Sequence, residues 1–135
     1  MIINVNPSSI IEMNAINLDK TSASDSQQRG ADIMLKAIER FREIDAEMQA
    51  QSMAILLKIA KHPVPLKMAE IAEELGLSQS TVSRNVGYLG KLNRHKEQGH
   101  QLVEALEDPM ERRRKLVRLT AKGKRFIKSL SEIIN

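Results

Sequence analysis

With 135 residues, of which 41% are hydrophobic and 28% charged, the chain has the size and composition of one globular domain. It contains no cysteine, which excludes disulfides, thiolate metal sites and a cysteine nucleophile. The net charge of +4 is uneven: 8 basic and 11 acidic residues precede Arg84, whereas 13 basic and 5 acidic residues lie from Arg84 to Lys128. This cationic half favours a polyanionic partner, and a basic face that only keeps the protein in solution is the alternative.

The first 28 residues are predicted to be an arm and linker. Ser9 and Glu12 have the spacing of a capping box before several apolar residues, so we expect a short helix over residues 9–19. Residues 21–28 are small and polar, which is typical of a linker. The domain proper is therefore expected to comprise residues 29–135.

Two helices are predicted next. Apolar residues recur at helical spacing over residues 31–48, which indicates an amphipathic helix whose apolar face packs on its own domain or on a partner. A second helix is predicted over residues 49–61. It ends before Pro63 and Pro65, because proline has no N–H for the helical hydrogen bonds and disfavours helical geometry in the residue before it.

Residues 66–89 have the pattern of a helix-turn-helix. A helix over residues 66–75 precedes Gly76, which can turn left-handed, and Ser78 can cap the helix that follows. The outer face of that second helix is short and polar, with Tyr88 at its end, so it fits a DNA major groove. A plain structural helix pair is the alternative. The expected DNA-contacting residues of this helix are Ser78, Gln79, Ser80, Thr81, Ser83, Arg84 and Asn85.

Residues 102–119 predict a β-hairpin with a cationic turn, after a polar loop over residues 91–101. The strands are expected over residues 102–107 and 116–119. The turn between them carries cations that can grip phosphates or enter a minor groove, and a solvated tip is the alternative. These cations are Arg112, Arg113, Arg114 and Lys115. Asp108 is expected to support the wing by orienting an adjacent arginine.

A last amphipathic helix is predicted over residues 121–134, with Thr120 as its cap. Its apolar side and that of the helix over residues 31–48 would form an unusually large exposed patch on a monomer, which favours a homodimer. The expected dimerisation residues are Met34, Ile38, Phe41, Phe126, Leu130 and Ile133.

Residues 31–134 resemble the MarR (multiple antibiotic resistance regulator) family of winged-helix repressors. The likeness is most specific in the wing, where the family pattern is Asp-Pro-x-x-Arg-Arg, a strand, and Leu-Thr-x-x-Gly. The matching residues are Asp108, Pro109, Arg112, Arg113, Leu119, Thr120 and Gly123. The resemblance implies a mainly α winged helix-turn-helix with a small β-hairpin wing and flanking dimerisation helices. It also implies a homodimer on a pseudo-palindromic operator, with residues 78–85 in the major groove and the wing in the minor groove.

These patterns favour a sequence-specific DNA-binding transcription regulator, a repressor, over an enzyme. The histidines do not share metal-ligand spacing, so no catalytic residue, metal or cofactor is expected. The scarcity of aromatic residues argues against a phenolic effector. No apolar run approaches the roughly 20 residues of a membrane span, so we expect a cytoplasmic protein that binds double-stranded DNA and no membrane. The alternative is a winged-helix adaptor or an architectural DNA-binding protein that acts through protein contacts.

Overall fold

The computed structural model describes residues 7–92 and 95–134, with side chains from Ser24 onward. In chain order the elements are α1 (Pro7–Ile44), α2 (Ala50–Lys61), β1 (Leu66–Lys67), α3 (Met68–Leu75), α4 (Gln79–Leu89), β2 (Val103–Glu107), β3 (Lys115–Leu119) and α5 (Ala121–Ile134). The chain divides into two units, Met1–Ile38 and Glu39–Asn135. The second unit contains every element from α2 onward.

Helix α1 corrects the prediction for the first 28 residues. Residues 21–28, expected to be a linker, are helical, and the short helix expected over residues 9–19 is part of the same α1. The stretch after Pro7 contains no further proline to break it, and Gln28 donates from its Nε2 to the Ser24 Oγ one turn earlier, at 3.3 Å. A polar composition is therefore compatible with a helix where no breaker interrupts it.

The C-terminal end of α1 is also earlier than predicted. The helix ends at Ile44 instead of residue 48, because Asp45 closes a turn: its Oδ1 accepts the Glu47 backbone N–H at 3.0 Å. The carbonyl of Asp45 accepts the N–H of Met48, also at 3.0 Å. Met48 thereby becomes part of the core of the second unit, with 7% of its surface exposed.

A three-stranded antiparallel sheet of order β1-β3-β2 packs with α2, α3 and α4. The hairpin of β2 and β3 confirms the predicted wing, with Ala105 opposite Val117 in its register. Strand β1 was not predicted, and α3 begins at Met68 where the sequence predicted a helix from residue 66. Leu66 pairs with Val117 instead, and both side chains are buried. The core is mainly aliphatic, with Phe41 as an aromatic member. Its largest fully buried side chains are Ile55, Leu56, Leu66, Ile71, Leu89, Leu102, Val82, Val103 and Val117.

The junctions that orient α4 and α5 form as the sequence predicts. Gly76 ends α3 with a left-handed backbone (φ 65°, ψ 34°), and the Leu77 N–H reaches the Ala72 carbonyl at 2.8 Å. The Oγ of Ser78 accepts the Thr81 N–H at 3.1 Å, which confirms the predicted cap of α4. Thr120 caps α5 in the same way, accepting the Gly123 N–H at 3.0 Å.

Candidate nucleic-acid interface

The outer face of α4 consists of exposed polar side chains. Val82, Val86 and Leu89 are buried, so the opposite face of the helix points to solvent. That face bears Gln79, Ser80, Ser83 and Arg84, all exposed. Amide and guanidinium groups in this setting can make directional contacts to base edges. Of the residues predicted to contact DNA on α4, these are the ones that the structure leaves accessible.

The remaining predicted residues form hydrogen bonds within the domain, and Ser78, the cap of α4, is itself exposed. Asn85 is half-buried: its Oδ1 accepts the Ser52 hydroxyl of α2 at 2.6 Å, and its Nδ2 donates to the Thr81 carbonyl at 2.9 Å. The hydroxyls of Ser78 and Thr81 lie 2.8 Å apart within the cap. Asn85 therefore positions α4 against α2, and Ser78 shapes the start of α4.

Tyr88, predicted on the outer face, instead turns toward the end of α1. Its hydroxyl donates to the Asp45 Oδ2 at 2.5 Å, and its ring meets that of His100 edge-on, with centroids 4.8 Å apart. This hydrogen bond lowers the pKa of the Asp45 carboxyl, helped by the Glu47 N–H and by the charge of His100. Burial, and then the Asp45 carboxylate, raise the pKa of Tyr88 well above its usual range. No local sequence pattern predicts this contact, because Asp45 and Tyr88 are far apart in the chain.

The wing turn is held by Asp108, but not in the predicted manner. Asp108 is 8% exposed, and its Oδ1 accepts the Met110 N–H at 2.9 Å. Its own N–H donates to the Arg114 carbonyl at 3.1 Å. Within the described residues it forms no ion pair with an arginine; Glu111 is the acid that holds Arg114, at 3.0 Å from the Nε. Asp108 therefore supports the wing by closing its turn.

The tip itself presents cations to solvent. Arg112, Arg113 and Lys115 are exposed, and none of them has an ion pair within the part of the chain that the structure describes. Met110 is 92% exposed beside them, a feature that sequence reasoning missed. At the base of the wing, Arg118 pairs with Glu104 on the opposite strand at 2.6 Å. Within the described residues of the wing, the cations without an ion pair thus lie at the tip rather than at the base.

The predicted dimerisation residues fall into three groups, buried, half-buried and exposed. Phe41 is 3% exposed and packs edge-on against Phe126, with ring centroids 5.0 Å apart, so it belongs to the core of its own chain and the prediction for it is wrong. Phe126, Leu130 and Ile133 are half-buried on α5. Met34 and Ile38 are 60% and 40% exposed on α1, and Leu35 beside them is 58% exposed.

Other kinds of site are not indicated by the described residues. They contain no cluster of three or more His, Asp or Glu side chains that could hold a metal ion. None of the described helices combines the length and apolarity needed to cross a membrane.

Comparisons with known proteins show which sequence family and which solved structures this chain resembles. Residues 50–89 match the sequence model of the IclR helix-turn-helix domain. No curated protein is significantly similar in sequence to the chain. A variant of S. aureus MepR bound to an oligodeoxyribonucleotide is similar over 84% of this chain and 75% of its own, with 20% identity and a TM-score of 0.62.

Two further solved structures agree. The PcaV transcriptional regulator from Streptomyces coelicolor, in complex with its natural ligand, is similar over 98% of this chain and 78% of its own, with 22% identity and a TM-score of 0.54. MarR is similar over 84% of this chain and 73% of its own, with 18% identity and a TM-score of 0.56. The chain has the winged helix-turn-helix fold. The predicted fold class is thereby confirmed, whereas what this winged helix binds must be argued from its own surface.

Proposed function

We propose that this winged helix is a sequence-specific DNA-binding transcription regulator of the MarR type. One observation carries the proposal: the first turns of α4 expose Gln79, Ser83 and Arg84, while every apolar side chain of its inner face is buried. These side chains offer an amide, a hydroxyl and a guanidinium, which are groups that make directional contacts to base edges in a major groove. The bound oligodeoxyribonucleotide of the MepR variant gives the same fold a DNA partner in another protein.

In this proposal α4 lies in the major groove. The side chains of Gln79 and Ser83 are short enough to let the helix backbone approach the bases, and Arg84 has the bidentate donors that guanine O6 and N7 accept. The Ser52–Asn85 hydrogen bond, at 2.6 Å, holds α4 on α2, so the reading side chains are presented from a fixed helix.

The wing adds contacts that do not depend on sequence. Arg112 and Arg113 project from a turn that Asp108 closes, and a solvated, unpaired guanidinium can bind phosphate or enter the minor groove without first breaking an ion pair. Arg114 is less available because Glu111 holds it. We therefore propose that the wing contributes affinity for DNA of any sequence and that α4 contributes sequence specificity.

The regulator acts as a homodimer in this proposal. One helix and one wing read few base pairs, so two copies on a pseudo-palindromic operator supply the specificity that a genome demands. The exposed apolar residues Met34, Leu35 and Ile38 offer a surface for the second copy. A dimer seated on its operator excludes other proteins from the same DNA, which supports the role of a repressor.

Selection from random duplex pools tests the proposal. Wild-type protein is expected to enrich one two-fold-related sequence. Arg84→Ala is expected to weaken binding to that duplex by about 1–3 kcal/mol, which is about 5- to 150-fold, and to relax preference at one position of each half-site.

Arg125→Ala is the matched control, because Arg125 is also an exposed arginine and lies on α5, outside the proposed interface. Binding without any sequence enrichment would favour the architectural alternative. Equal losses for Arg84→Ala and Arg125→Ala would show that Arg84 contributes only charge.

A further inference from the structure

Between α4 and β2 the chain makes an excursion, residues 90–101, whose base is fixed to the end of α4. The Gln101 N–H donates to the Gly90 carbonyl at 2.8 Å, and the Leu102 N–H donates to the Leu89 carbonyl at 2.8 Å. Further out, the Gly99 N–H reaches the Lys91 carbonyl at 2.9 Å, and Leu92 and Gln98 form an antiparallel bridge. The two arms of the excursion are therefore paired with each other like a short hairpin.

Gly99 lets the returning arm pack closely against the end of α4. A Cβ on Gly99 would lie 2.3 Å from the Gly90 carbonyl oxygen and 2.6 Å from that of Gly87. Any larger residue would push the returning arm away from the helix. The described parts of the excursion are thus fixed to the end of α4, where the sequence predicted a polar loop.

The excursion also lies beside the proposed reading face. Its residue His95 and the α4 residues Arg84 and Asn85 line the same cleft of about 410 Å³. Asp45 and Glu47 also line this cleft, so acidic groups lie beside Arg84 there. Further cations that could bind an anion lie on the excursion itself.

The described residues of the excursion include two exposed lysines. Lys91 and Lys96 are exposed on opposite arms, and neither has an ion pair within the described ranges of the chain. Lys96 adopts a left-handed backbone (φ 60°) as the chain turns back. Lys91 lies two residues after the end of α4, and Lys96 follows His95, which lines one cleft with Arg84. Ammonium groups at these positions suit the phosphate backbone of the DNA that α4 is proposed to enter.

We propose that the excursion is a second DNA-binding element, in which Lys91 and Lys96 contact backbone phosphates flanking the groove occupied by α4. This inference rests on the proposed function. It assigns affinity, not base reading, to the excursion, because an ammonium at a phosphate carries no sequence information. DNA is favoured over an acidic protein because the excursion is hydrogen-bonded to the end of α4, and its His95 lines one cleft with the proposed base-reading Arg84.

The test is the salt dependence of DNA binding by the full chain carrying Lys91→Gln and Lys96→Gln together. Fluorescence anisotropy would be measured with the selected duplex and with a scrambled duplex over a series of salt concentrations. The slope of log K against log salt is expected to become shallower by about 1.8 on both duplexes, since each phosphate contact contributes about 0.9. The ratio of the two affinities is expected to stay that of the wild type.

Lys124→Gln with Lys128→Gln is the control, because it removes the same charge from exposed positions of α5. An equal change of slope in this control would assign the effect to net charge and overturn the inference. A wild-type slope in the Lys91→Gln/Lys96→Gln variant would overturn the inference and leave the proposed function standing. Wild-type protein that binds neither duplex would overturn both.

Discussion

Tyr88 joins the end of the proposed reading helix to the turn that follows α1. Its hydroxyl bonds the carboxylate of Asp45, whose other oxygen accepts the Glu47 N–H and so shapes that turn. His100, from the segment before β2, packs edge-on against the same ring. A single side chain thus connects three parts of the domain, and its loss would loosen the position of α4.

Replacing Tyr88 with phenylalanine tests this connection. Tyr88→Phe keeps the ring against His100 and removes the hydrogen bond to Asp45, so we expect the free energy of unfolding in urea to fall by about 1 kcal/mol at neutral pH. The loss is modest because the Asp45 side chain is 32% exposed and water can replace the lost donor.

The difference in stability between wild type and Tyr88→Phe is expected to depend on pH. The pKa of Asp45 is lowered in the folded state, so its stabilising effect is present above the ordinary value of 3.8 and is lost as the pH falls through the lower folded value. The stability difference between wild type and Tyr88→Phe should therefore narrow below about pH 3.8. A difference that is constant from neutral to acid pH would show that the bond to Asp45 is not its source.

At the scale of elements, the wing separates support from contact. Asp108 and the Glu111–Arg114 pair close the turn, whereas Arg112 and Arg113 form no ion pair within the described residues. Four neighbouring cations repel one another, so they destabilise an isolated tip and become favourable when phosphates neutralise them.

Removing these two arginines should affect affinity alone. Arg112→Ala with Arg113→Ala is expected to reduce the salt slope of DNA binding by about 1.8, for two phosphate contacts, on selected and scrambled duplexes alike. The variant with Arg125→Ala and Lys128→Ala on α5 carries the same charge loss as a control. An unaltered slope in the wing variant would identify the tip as a solvated turn.

Most elements of the second unit could be predicted from local sequence. Helices α2, α4 and α5 and both wing strands lie within a few residues of their predicted bounds. Their signals are local: apolar periodicity, the left-handed Gly76, and the caps Ser78 and Thr120. Strand β1 had no such signal, because two residues become a strand only by pairing with β3.

At the scale of the whole molecule, α1 determines the proposed assembly. Met34 and Leu35 are 60% and 58% exposed, which is unusual for large apolar side chains on neighbouring positions of one helix. A second copy that covers them would remove this surface from water. Burial of apolar area stabilises the dimer by about 25 cal/mol for each Å².

The mass in solution tests the dimer. Light scattering at micromolar concentration should give twice the 15.2 kDa of the chain. Met34→Glu with Leu35→Glu should shift the protein toward monomer, because carboxylates would be buried without partners. Gln27→Glu with Gln28→Glu adds the same charge to exposed positions of the same helix and should leave the dimer intact. A wild-type mass near that of one chain would exclude the proposed interface.

The sequence by itself determined the winged helix-turn-helix, since its helices, caps and hairpin depend on residues close together in the chain. It also indicated the candidate site, because the exposed faces of α4 and of the wing follow from the positions of their apolar residues. Only the tertiary structure decided which polar residues are available to a partner. Asn85 and Tyr88 turn inward because Ser52 and Asp45, distant in sequence, offer hydrogen bonds there, and Phe41 is buried because Phe126 meets it. Such contacts between distant residues leave no periodicity in the chain, so no local pattern can predict them.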